Sequence, residues 1–188
     1  LDRPQRDIFR APLVRIRLDG HDVYLNDTDQ YAPLGSTTYD RRRALRLEDG
    51  SVTRIEALPE YRDRREAEYV FDLADDGSAS IDWSRRYFGS DYTAFHREFA
   101  EMIPEERRRH FERLVSSIAQ SAAPAGGLEV EHESYPGRQH CRVEADPYAV
   151  RDGDLHITED AGLNPDTLKV TVENGTTLTV TGNVLMGR

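Results

Sequence analysis

The chain has 188 residues, room for one large domain or two small ones. Its 25 Lys and Arg against 35 Asp and Glu leave a formal net charge of −10, a field that repels polyanions and argues against nucleic acid as a partner. Mean hydropathy is −0.72, and no apolar run approaches the roughly 20 residues of a bilayer span, which predicts a folded polar protein without membrane insertion.

Leu1 opens the chain without a basic start and apolar block, so no signal peptide is read here and the natural N-terminus is expected upstream. Cys141 is the single cysteine, which excludes an internal disulfide and a cysteine-based metal cluster. Lys169 is the only lysine; this is read as coding bias.

Leu13, Val14, Ile16 and Leu18 lead into Asp19-Gly20, and Val23, Tyr24 and Leu25 follow, which predicts a hairpin. A turn-rich stretch from Asn26 to Asp40 reads as an ordered loop. A second hairpin is predicted from Ala44–Leu47 and Ser51–Ile55 around Glu48-Asp49-Gly50. Pro59 to Arg65 is charged, lacks periodicity and is the best linker candidate. It divides the chain into an expected hairpin region, 1–58, and a β-rich α+β region, 59–188.

From Glu66 to Phe88, Tyr69, Phe71 and Leu73 alternate, Asp75-Asp76-Gly77-Ser78 turns, and Ala79, Ile81 and Trp83 alternate back. Period-two spacing predicts one buried and one wet face. The period then becomes helical. Tyr92, Phe95, Phe99 and Met102 predict a helix over 91–103, capped by Ser90 or Asp91. Pro104, Glu105 and Glu106 suit the start of a second helix over 104–121, with Phe111, Leu114, Val115 and Ile118 as its stripe. Strands are expected at Leu128–Tyr135 and His140–Ala145 around Pro136-Gly137, and a turn at Asp152-Gly153-Asp154. The final hairpin pairs Leu168, Val170 and Val172 with Leu178 and Val180 around Asn174-Gly175. The predicted class is α+β, a mostly antiparallel sheet packed against two consecutive helices. Its expected core is Tyr69, Phe71, Ile81, Trp83, Tyr92, Phe95, Phe99, Phe111, Leu114, Val115 and Ile118.

Six histidines are scattered: His21, His96, His110, His132, His140 and His156. They form no zinc pattern, and His96 and His110 read as solvated helix residues. Glu129, Glu131 and Glu133 alternate as an exposed strand face would, although such carboxylates could also bind Ca²⁺. Cys141 lies between His140 and Arg142, but strand neighbours point to opposite faces, so it reads as an inert packed thiol. No phosphate loop and no nucleophile elbow is present. No cofactor is expected.

The run Leu13-Val14-Arg15-Ile16-Arg17-Leu18-Asp19-Gly20, then Val23-Tyr24-Leu25-Asn26-Asp27-Thr28, resembles the end of a bacterial transglutaminase-like core. Tyr31–Gly35 and the Arg-rich 41–45 are similar to the exit from that core, and residues beyond about 60 to the β-rich domain that follows it. The resemblance implies a Cys-His-Asp triad with its His and Asp flanking the hairpin. Here those slots fall on Ala11 and Asn26. Asn can orient an imidazole, but alanine cannot carry a proton. Asp27 and Asp29 are alternative relics of the orienting carboxylate; a polar turn is the simpler reading of 26–29. The resemblance implies a non-catalytic C-terminal scaffold that meets a protein or peptide partner. Alternatives are the specificity portion of an active thiol enzyme whose Cys and His lie upstream, and a calcium- or ligand-binding adhesion module. It also implies export to the periplasm or cell envelope.

Overall fold

A computed structural model describes residues 9, 11–25, 29–152, 154–157, 165–173 and 177–184, with the side chains of 149–152, 154–157 and 165 left aside. The first hairpin joins β1 (Val14–Leu18) to β2 (His21–Leu25), with Leu18 opposite His21. Asp19 and Gly20 both take positive φ, 47° and 82°, as a two-residue turn between right-twisted strands requires. β3 (Arg43–Leu45) and β4 (Val52–Arg54) form a second small hairpin.

The segment read as a linker holds a 3-10 turn, Pro59–Tyr61, with contacts on both sides. The Tyr61 ring lies 4.9 Å from Tyr135, and Arg62 approaches Asp40 at 3.8 Å. Next come β5 (Arg64–Leu73) and β6 (Ala79–Phe88), paired along their whole length. Their turn is tied by Asp76, whose carboxylate accepts the Ser78 N–H at 3.0 Å and its hydroxyl at 2.6 Å.

Helices α1 (Ser90–Glu101) and α2 (Pro104–Ile118) are both shorter than their sequence patterns. Met102 and Ile103 are extended because the residue before a proline is barred from helical geometry and Pro104 restarts the helix. At the far end Ala119 turns extended, and Ala122–Pro124 becomes strand β7, paired with Val143–Ala145. The start of α1 also differs. Neither Ser90 nor Asp91 caps it. Gly89 occupies the cap position at φ 60°, and Asp63 accepts the Ser90 N–H at 2.7 Å from outside the helix. A Cβ on Gly89 would fall 2.3 Å from that carboxylate, so only glycine fits there.

The expected strand 128–135 contracts to β8 (Glu129–Glu131), because Tyr135 turns inward against Phe88 and Tyr92. β9 (Gly137–Ala145) begins at Gly137, where a Cβ would meet the Phe95 ring at 2.6 Å, so α1 can lie close on the sheet. β10 (Ala149–Asp152) and β11 (Asp154–Ile157) pair around the expected turn; Gly153 lies outside the described residues. A 3-10 turn, Pro165–Thr167, leads into β12 (Lys169–Glu173), which pairs with β13 (Thr177–Asn183); their expected Asn174-Gly175 turn also lies outside the described residues.

The result is a mixed α+β fold dominated by an antiparallel seven-stranded sheet, in the order β12-β13-β5-β6-β9-β7 with β8 also on β9. Alternate residues of each strand face the helices: Ala67, Tyr69 and Phe71 of β5, Ala79, Ile81 and Trp83 of β6, and Cys141, Val143 and Ala145 of β9. Ile81, Trp83 and Val143 are wholly buried, and Val115 and Ile118 of α2 close this layer. Phe111 and Leu114, expected in the core, pack at its margin. Among the described residues no helix is long and apolar enough to cross a membrane.

Candidate functional site

The suggested triad relic is not assembled among the described residues. Ala11 lies exposed in a bend before β1, and Asn26 and Asp27 are outside the described residues. Asp29 acts locally. Its Oδ1 accepts the Tyr31 N–H at 3.1 Å and its Oδ2 pairs with Arg97 of α1. Cys141 faces the helices opposite Trp83 and is 1% exposed. Burial, with Asp82 adding, pushes its thiol up to about 11, the opposite of what a nucleophile needs. His140 projects from the other face of β9, between Asp82 at 2.9 Å and Glu129 at 3.1 Å. Thiol and imidazole are therefore separated by the sheet itself.

Glu129 and Glu131 are engaged by His140 and Arg138, and Glu133 lies beyond the end of β8. Among the described residues no three His, Cys, Asp or Glu side chains converge where they could hold a metal ion.

Two histidines read as solvated are instead packed. His110 edges onto Phe99, with ring centroids 5.1 Å apart, and its Nε2 is 2.9 Å from the amide nitrogen of Gln139. Gln139 is 1% exposed, and its carbonyl accepts the Tyr87 O–H at 2.7 Å. The amide therefore donates to His110, which fixes the imidazole as an acceptor at Nε2 with its Nδ1 toward Glu98 at 3.8 Å. Burial holds the His110 pKa below the ordinary histidine value, helped by Arg113 and Arg85 and opposed by Glu98. His96 packs between Tyr31 and Tyr92 and lies 5.5 Å from His132, whose pKa is lowered by burial and then by His96. The available signal was Gln139 itself. It alternates with Gly137, Cys141 and Val143, and a polar side chain at an inward position needs a partner.

An organised polar surface lies on the sheet face opposite the helices. Cross-strand registers place its side chains in rows. Lys169, Thr181, Glu68, Ser84 and His140 form one row; Thr171, Thr179, Val70, Asp82 and Arg142 form the next. Neighbours hold one another in place. Glu66 bridges Arg64 at 2.9 Å and Arg86 at 3.0 Å, Arg142 donates to Ser80 at 2.9 Å, and Thr177 donates to Asp72 at 2.7 Å. A groove of about 280 Å³ runs across this face, lined by Glu66, Glu68, Arg86, Lys169, Thr181 and Asn183 among others. Both charge signs and several hydroxyls line it, so it can present donors and acceptors along an extended ligand. Set against protein-family models, curated proteins and solved structures, the chain matches none of them.

Proposed function

We propose that this chain is a non-catalytic interaction module that binds a protein or peptide partner on the polar face of its seven-stranded sheet, opposite the helices. The observation that carries the reading is the groove over β5, β6, β12 and β13. Glu66 and Arg86 in it are held by their ion pair, so these two side chains lose little freedom when a partner arrives. The separation of Cys141 from His140 supports the non-catalytic part, as does Ala11 in the slot of a general base. The likeness of the first hairpin to the end of a transglutaminase-like core fits the same reading, with this chain as the scaffold that follows.

Panning a random peptide library against the immobilised chain tests it. Selected peptides are expected to lose binding to Glu68→Lys and Arg86→Glu variants and to keep it with Arg109→Glu on α2. Binding that ignores the sheet-face variants would refute the assigned surface. Acyl transfer from a glutamine peptide, or peptide hydrolysis, by the purified chain would refute the non-catalytic assignment.

A further inference from the structure

The two lateral edges of the sheet are built differently. One ends in the three-residue strands β7 and β8, and β7 contains Pro124, which has no N–H to offer a neighbour. The other ends in β12, five residues without proline, and among the described residues no strand lies outside it. Val170 and Val172 of β12 are 54% and 64% exposed. They stand on the same face as Val180, Leu178, Tyr69 and Phe71, continuing the apolar layer beyond the helices. Lys169, Thr171 and Glu173 stand on the open polar face.

We propose that two copies of the chain pair antiparallel through β12, about a two-fold axis at Thr171. The sequence Lys169-Val170-Thr171-Val172-Glu173 is its own complement in that arrangement. Lys169 of each copy faces Glu173 of the other, Val170 faces Val172, and Thr171 faces itself. Both charge pairs fall on the polar face, and both valine pairs extend the apolar layer. A shift by one residue sets lysine against valine, and a shift by two leaves a charge without its partner, so the register is specified. The contact is isologous and closes on itself, which makes a dimer and not a filament. A five-residue edge is small for an interface, so the dimer is weak and dissociates in the range of about 1–100 µM. This pairing does not depend on which partner the open face binds.

Sedimentation velocity across a concentration series is the test, with Lys169→Glu and Glu173→Lys as variants. Both side chains are exposed, and circular dichroism confirms that each variant folds. The native chain is expected to move from monomer to dimer as concentration rises. Either single reversal turns two attractive pairs into two repulsive ones and weakens association by about tenfold or more. An equimolar mixture of the two variants restores both pairs and with them the dimer, as does the double variant Lys169→Glu/Glu173→Lys. A native chain that stays monomeric at about 500 µM, well above the expected range, overturns the proposal. Equal dimerisation by both single variants also overturns it, since the interface then lies elsewhere.

Discussion

Replacing Gln139 by leucine separates two ideas about the core: that it is a purely apolar filling, and that a polar relay fastens α2 to the sheet. The substitution removes the bonds to Tyr87 at 2.7 Å and to His110 at 2.9 Å. Each stranded group costs about 1–3 kcal/mol when buried. Tyr87 and His110 retain some exposure, so the lower end applies, about 2 kcal/mol for the two. Leucine returns roughly 1 kcal/mol through its apolar surface. The net expectation is a loss of about 1–2 kcal/mol. Adding Tyr87→Phe removes one stranded group, so the double variant is less damaged than the sum of the singles, by about 1 kcal/mol. Urea unfolding followed by the fluorescence of Trp83, the sole tryptophan, measures this cycle. Costs that add within about 0.3 kcal/mol, or a leucine variant more stable than the native chain, would refute the relay.

Other outcomes follow from the same packing. Trp83 is wholly buried between Tyr69 and Cys141, so Trp83→Ala is expected to cost about 3–5 kcal/mol in urea unfolding read by circular dichroism. A cost under about 1 kcal/mol would place that indole outside the core. The Cys141 thiol, pushed to about 11 by burial, should resist a disulfide reagent at neutral pH until urea unfolds the chain; rapid labelling of the native protein contradicts its placement. His110 and His132 are held below the ordinary histidine pKa, so well above about pH 6.5 both are neutral in both states and these two add no slope to stability. Below about pH 6.5 the unfolded chain takes up protons that the folded chain refuses, and stability falls until the folded histidines also titrate. Urea midpoints from pH 7.5 down to about 5 check the sign; midpoints that rise on acidification, or no change of slope in His110→Asn, speak against it.

The parts of the fold that local chemistry decides are the parts legible in the sequence. Asp19-Gly20 makes a hairpin turn because both residues tolerate positive φ, and they do so here. Tyr69, Phe71, Ile81 and Trp83 alternate, and they are buried on one face. Helix ends were less legible. The sequence predicts that the second helix runs on to Ser121, and the pairing of β7 with a strand some twenty residues later pulls the chain away after Ile118. Asp63 caps α1 across a distance of 27 residues, which no adjacent motif announces. The histidine clusters share that character: His96 meets His132, and His110 meets Gln139, across elements far apart in the chain. Asp29, weighed as a catalytic relic, does what its neighbours suggested and holds a turn.

The pairing of β5 with β13 sets the order in which the protein can be completed. Thr177 meets Asp72 across a sequence separation of 105, whereas β5 and β6 meet through the five residues 74–78. During synthesis the β5–β6 hairpin and both helices emerge long before β13. Throughout that interval the outer edge of β5, with Tyr69 and Phe71 beside it, lacks its native neighbour. Such an edge is a template for the wrong strand, including its equivalent on a second nascent chain. β13 is thus the strand that seals this flank of the sheet, and a stop between β9 and β13 leaves a protein whose core is largely built and whose flank is adhesive.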